Sequence, residues 1–179
     1  MSNLLNSYLI FKIGEENFGI NVSKVMEIRE YVAPKPIPHT FPFVAGVTEY
    51  QEEIIPLIDA GLKFGMPPVK VTPNTCIVVL ELFDEKNKSG YKLGISIDSV
   101  SDVLEIDESK MKNVTVEDYK PLFISSFYTH GDRMIYILDA DTIFNKKEVV
   151  VLMNVIDEPE SELEPKEEPE QEQKEENKA

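Results

Sequence analysis

The chain has 179 residues, a formal net charge of −15, 42% hydrophobic residues and a single cysteine. That length and apolar content support one domain with a real core. The lone Cys76 rules out an internal disulfide, and the acidity disfavours nucleic acid and anionic membrane, which recruit Lys and Arg.

The charge is uneven. Residues 157–179 hold 11 acidic and 3 basic side chains, a net −8, while residues 1–156 carry −7. The first residues, MSNLLNSYLIF, lack the basic region and long apolar core of a signal peptide. No run approaches the roughly 20 apolar residues of a membrane span. A cytoplasmic location without membrane insertion is expected.

In chain order, 8–13 alternates, with Leu9, Phe11 and Ile13 on one face. Gly14-Glu15-Glu16-Asn17 then turns the chain into Phe18-Gly19-Ile20, a hairpin. Asn21 can cap a short helix on which Val22, Val25 and Met26 fall at helical spacing. The next residues return to an extended form, and Pro34, Pro36 and Pro38 impose an extended connector.

The stretch 41–65 places apolar runs on either side of Thr48-Glu49-Tyr50-Gln51-Glu52-Glu53, a polar insert expected at the surface. Ile54-Ile55-Pro56-Leu57-Ile58 reads as a buried strand, and Pro56 inside it argues for an edge position or a bulge. After a proline-bracketed loop, 75–83 predicts a strong strand, 84–90 a hairpin loop, and Tyr91, Leu93, Ile95 and Ile97 the returning strand. Residues 113–121 read as loop. A further hairpin spans 124–138, turning at Thr129-His130-Gly131-Asp132, and Asp139 can cap a last helix carrying Ile143 and Phe144. For 149–156 the pattern leaves helix and strand both open.

From 157 onward too little apolar surface remains to offset ordering entropy of roughly 1–2 kcal/mol per residue, so a disordered acidic tail is expected. Repeated strand-turn-strand units with few helices predict a mainly β, barrel-type domain over 1–156. It divides into subdomains of roughly 1–73 and 74–150, with no evident sequence repeat between them.

The chemical inventory is thin. His39 and His130 are separate loop histidines, and Cys76 sits in an apolar run as a small buried hydrophobe. Asp139 and Asp141, with His130, give the one candidate metal set, although capping explains Asp139 better. No phosphate loop, HExxH or GxSxG motif occurs. Catalytic, cofactor and metal sites are therefore expected to be absent.

Four ordered blocks carry a resemblance. The segment Tyr8-Leu9-Ile10-Phe11-Lys12-Ile13-Gly14-Glu15-Glu16-Asn17-Phe18-Gly19-Ile20 with Lys24-Val25-Met26-Glu27-Ile28-Arg29 resembles the opening of CheW-type chemotaxis coupling proteins. Phe43-Val44-Ala45-Gly46-Val47 with Ile55-Pro56-Leu57-Ile58-Asp59 is similar to the family's central signature. Leu93-Gly94-Ile95-Ser96-Ile97-Asp98-Ser99-Val100-Ser101-Asp102-Val103-Leu104 and Gly131-Asp132-Arg133-Met134-Ile135-Tyr136-Ile137-Leu138 are similar to its later blocks.

The resemblance implies two linked five-stranded, SH3-like barrels with short helices. It also implies an adaptor that couples methyl-accepting chemoreceptor signalling tips to the regulatory domain of a chemotaxis histidine kinase, recruited to receptor arrays and without catalysis. Val25, Glu27, Ile28 and Gly46 fall where the family meets its partners. Where the family carries Asn-Leu-Arg-Gly, this chain has Glu49-Tyr50-Gln51-Glu52. These four residues are expected to form a presenting surface, with Tyr50 as a replacement anchor for the missing Arg. Loss of the Arg implies either changed partners or weaker binding, and loss of the turn glycine implies a different local backbone.

Overall fold

Strands that are apolar on both faces must be covered on both, and this chain builds several of them. The computed structural model describes residues 4–114 and 123–157; the segment 158–179 and most of the expected 113–121 loop lie outside those residues.

Strand β1 (Ser7–Ile13) pairs antiparallel with β2 (Glu16–Asn21), forming the first expected hairpin. Asn21 caps a single 3-10 turn, Val22–Lys24, through a 2.9 Å bond from the Ser23 N–H. No longer helix forms there, because Val25 already opens β3 (Val25–Glu30). The next hairpin is β4 (Val44–Tyr50) with β5 (Glu53–Asp59), followed by the short helix α1 (Ala60–Lys63). Asp59 is structural, as its carboxylate accepts the Leu62 N–H at 3.1 Å and caps α1. The second half supplies β6 (Cys76–Asp84), β7 (Ser89–Ile97), β8 (Ser99–Glu105), β9 (Lys112–Asn113), β10 (Ile124–His130) and β11 (Arg133–Leu138). Helix α2 (Lys146–Asp157) closes the described chain and settles 149–156 as helix.

One sheet runs β8-β1-β2-β11-β10-β9 and the other β3-β6-β7-β5-β4. The fold is mainly β, two linked SH3-like barrels. They have six and five strands, because the two-residue β9 adds a sixth to the first. In the second barrel the outer strands are tied together: Lys35 and Val47 exchange two 2.9 Å backbone bonds, and Arg29 on β3 donates to the Glu49 carbonyl on β4 at 2.8 Å. Pro56 is neither on an edge strand nor at a bulge, since β5 lies between β7 and β4. Its pairing with β7 begins only at Leu57.

The expected division near residue 73 does not separate the barrels. The first barrel takes β1 and β2 from the front of the chain and β8 to β11 from the back; the second takes β3 to β5 and β6 to β7. The division instead marks a structural repeat. Each half runs hairpin, edge strand, second hairpin and helical turn, and each hairpin at the start of a half pairs into the sheet completed by the other half.

The correspondence extends to single residues. Val25-Met26-Glu27-Ile28-Arg29-Glu30 and Val100-Ser101-Asp102-Val103-Leu104-Glu105 occupy equivalent edges, each with a register shift after its valine. Leu57-Ile58-Asp59-Ala60 matches Ile137-Leu138-Asp139-Ala140. The Asp59 and Asp139 amides donate at 2.8 Å to the carbonyls of Phe43 and Phe123, respectively.

Three apolar clusters follow from this plan. Tyr8, Ile10, Ile135 and Ile137 fill the first barrel, and Tyr50, Ile55, Leu57, Ile77 and Val79 fill the second. The largest lies between them, where Leu9, Phe11 and Ile13 of β1 meet Val78, Leu80 and Leu82 of β6. Val149 and Leu152 of α2 seal it.

Asn145 and Glu148 cap α2 reciprocally, each carboxylate or amide oxygen accepting the other's backbone N–H at 2.9 Å. Asp139 therefore does not cap the last helix, and its side chain makes no bond to the 3-10 turn after it. Glu148 also pairs with Lys63 at 2.8 Å, where the two side chains are only 13% and 10% exposed. The Lys63 ammonium lies 4.7 Å from the Phe43 ring centre and 5.1 Å from that of Phe144.

Two outcomes follow. Lys63→Met leaves the Glu148 carboxylate buried without its cation, and a loss of about 3 kcal/mol is expected in denaturant melts. Because each sheet draws on both halves, separately made segments 1–71 and 72–179, cut at the exposed Val71, should co-purify as one folded complex. Either segment alone should show no cooperative unfolding.

Candidate functional site

Strand β3 has a hydrogen-bonded neighbour, β6, on one side only. Val25 is half-buried against the shared core, whereas Glu27 is exposed and Ile28 is 42% exposed. Met26 and Val32 are exposed beside them, so this edge presents apolar side chains around a carboxylate. The Arg29 bond to the Glu49 carbonyl brings this edge next to the β4–β5 tip. Two groups of candidate residues, about 20 positions apart in sequence, thus share one end of the second barrel.

At the tip Glu49, Gln51 and Glu52 are exposed as expected. Tyr50 is not: at 3% exposure it belongs to the interior of the second barrel, with Ile55 and Leu57. Strand alternation puts it inward while Glu49 and Gln51 face water, so it cannot replace an interface anchor. Gln51 and Glu52 both sit at positive φ, +46° and +65°, the left-handed pair of a tight hairpin turn that glycine usually favours. Gly46 is buried and structural in its placement, because a Cβ there would lie 2.2 Å from the Lys35 carbonyl oxygen.

The metal set does not assemble. Asp141 is engaged by Lys24 at 2.7 Å and by the Phe83 N–H at 3.0 Å. His130 stacks on Tyr128. Among the described residues no three His, Cys, Asp or Glu side chains converge. Cys76 is half-buried and its thiol donates to the Asn74 carbonyl at 3.3 Å. Two groups titrate away from their ordinary values. Burial, then the Asp141, Asp84 and Glu148 carboxylates, pushes the Tyr91 hydroxyl up, and hydrogen bonds from Ser109 hold Asp107 down at the surface. Among the described residues no helix is long and apolar enough to cross a membrane.

The structure adds an edge that the residue-by-residue reading missed. On β8, Asp102 and Val103 stand where β3 carries Glu27 and Ile28, and Val103 is 56% exposed. The signal was present as a valine, an acid two positions on, a β-branched residue and a closing glutamate, repeated 75 positions apart.

The CheW-like domain family model matches residues 7–148. The chemotaxis protein CheW of Klebsiella aerogenes is 31% identical over 152 residues, spanning 83% of this chain and 87% of that protein. That of Rhizobium meliloti is 25% identical over 142 residues, spanning 78% and 88%. Among solved structures, the scaffolding protein TtCheW from Thermoanaerobacter tengcongensis superposes with a TM-score of 0.70 at 26% identity, covering 80% of this chain and 90% of that one. The chain belongs to the CheW-like domain family.

Proposed function

We propose that this protein is a chemotaxis scaffold that couples chemoreceptor signalling tips to the regulatory domain of a histidine kinase through surface contacts, without catalysis or cofactor. The observation that carries the reading is the family match over 7–148 together with an exposed, one-sided strand edge at its expected partner position. Glu27, Ile28, Glu49, Gln51 and Glu52 make the contacts. Val25, Gly46 and Tyr50 hold that surface in place from beneath. The protein works in the cytoplasm at receptor arrays.

A second reading has a specific observation behind it. The tip forms a left-handed turn without glycine, and the family's Arg becomes Gln51. Arg is over-represented among interface anchors, and its loss removes on the order of 2 kcal/mol or more. The same scaffold would then serve partners that do not rely on an arginine there.

Mixed with receptor signalling fragments and kinase, the purified protein should co-sediment and raise kinase autophosphorylation. Ile28→Asp should weaken that association at least tenfold without changing the melting transition; unchanged binding would remove β3 from the interface. Glu52→Gly should relieve the left-handed strain and raise stability by about 0.5–1 kcal/mol. Adding Gln51→Arg should strengthen coupling to receptors of the usual kind, and no gain would argue against that motif mattering.

A further inference from the structure

The repeat supplies an internal control for one local defect. In the first barrel the parallel ladder between β11 and β2 runs through Ile135–Asn17, Tyr136–Phe18 and Ile137–Gly19. The equivalent ladder between β5 and β7 starts only at Leu57–Gly94, so the pairs Ile55–Lys92 and Pro56–Leu93 are missing. Pro56 occupies the place of Tyr136. Its nitrogen faces β7, because Val47 turns both its backbone groups to Lys35 and so exchanges none with Pro56, its partner in register. A proline has no N–H to donate there, and the ladder begins only beyond it.

Beside these unpaired residues lies an open groove of about 570 Å³. Ile54, Ile55, Tyr91 and Met153 give it apolar walls, and Ile54 is 46% exposed. Tyr91 is 6% exposed. Its rim carries Glu53 and Glu81 against a single ammonium, Lys92, which bridges to Glu53 at 3.3 Å.

We propose that this cleft is a docking site for an extended segment of a partner polypeptide that carries a lysine or arginine next to an apolar side chain. The unpaired stretches of β5 and β7 beside the groove offer main-chain groups to an extended backbone. The apolar walls take the neighbouring side chain, and the rim carboxylates take the cation. The site lies on β5 and β7 rather than on the β3 edge, adjoins the β4–β5 tip through Glu53, and rests on observations independent of the proposed coupling role.

The test uses the full chain, ¹⁵N-labelled, titrated with the capped peptide Ala-Leu-Lys-Leu-Ala and with its acidic counterpart, Glu in place of Lys. The lysine peptide is expected to shift the amides of residues 53–55 and 90–92 and to bind at least tenfold more tightly than the acidic one. Glu53→Lys with Glu81→Lys should weaken it tenfold or more. Pro56→Val should do the same while the new amide at position 56 gains protection from hydrogen exchange, as the ladder closes. Absent shifts at millimolar peptide, equal binding of both peptides, or binding untouched by the charge-reversed variant would overturn the proposal. Concentration-dependent shifts of the same amides without peptide would overturn it in favour of a second copy of this chain.

Discussion

The structure depends on burying several strands on both faces at once. β1 sends Leu9, Phe11 and Ile13 toward the second barrel while Tyr8 and Ile10 fill the first. β6 does the reverse with Val78, Leu80 and Leu82 against Ile77 and Val79. Each fully buried aliphatic side chain contributes about 1.5–3 kcal/mol. The cluster between the sheets therefore joins the barrels far more firmly than a polar linker would. It also explains why the β3 edge and the β4–β5 tip keep a fixed relation: both are carried by a sheet whose back is packed against its neighbour.

Much of this was legible in the residues. Alternation and turn chemistry located the hairpins at 8–20, 75–97 and 124–138, because period-two patterning and polar turns are local properties. Strand pairing is not local. The exchange of hairpins between halves left no trace in periodicity, and the repeat that records it survives only as short, diluted matches such as Leu57-Ile58-Asp59-Ala60 against Ile137-Leu138-Asp139-Ala140. Helix and strand stayed open for 149–156 because the run is apolar nearly throughout. The deciding feature, the Asn145–Glu148 capping pair, lies just before it.

The site was legible in part. Glu27, Ile28, Glu49, Gln51 and Glu52 are exposed where the resemblance placed partner contacts. Tyr50 was misread because its charged neighbours drew attention to the segment's polarity, when alternation alone assigns it to the inward face. The two non-glycine residues at positive φ in the tip could not be foreseen either. Left-handed conformation there is imposed by the pairing of Tyr50 with Glu53 across a two-residue turn, a tertiary demand that overrides residue preference.

The reciprocal exchange of hairpins has a consequence for biogenesis. The β1–β2 ribbon is among the first parts of the described chain to leave a ribosome, yet of its two flanking strands β8 follows only past the midpoint and β11 near the end. The second barrel has all its strands once β7 has emerged, but the first must wait for β11, and an apolar two-stranded ribbon of this size is marginal in water by itself. The nascent polypeptide thus carries a sticky, unsatisfied sheet through most of its translation, a window in which chaperone shielding or slow, long-range closure governs yield.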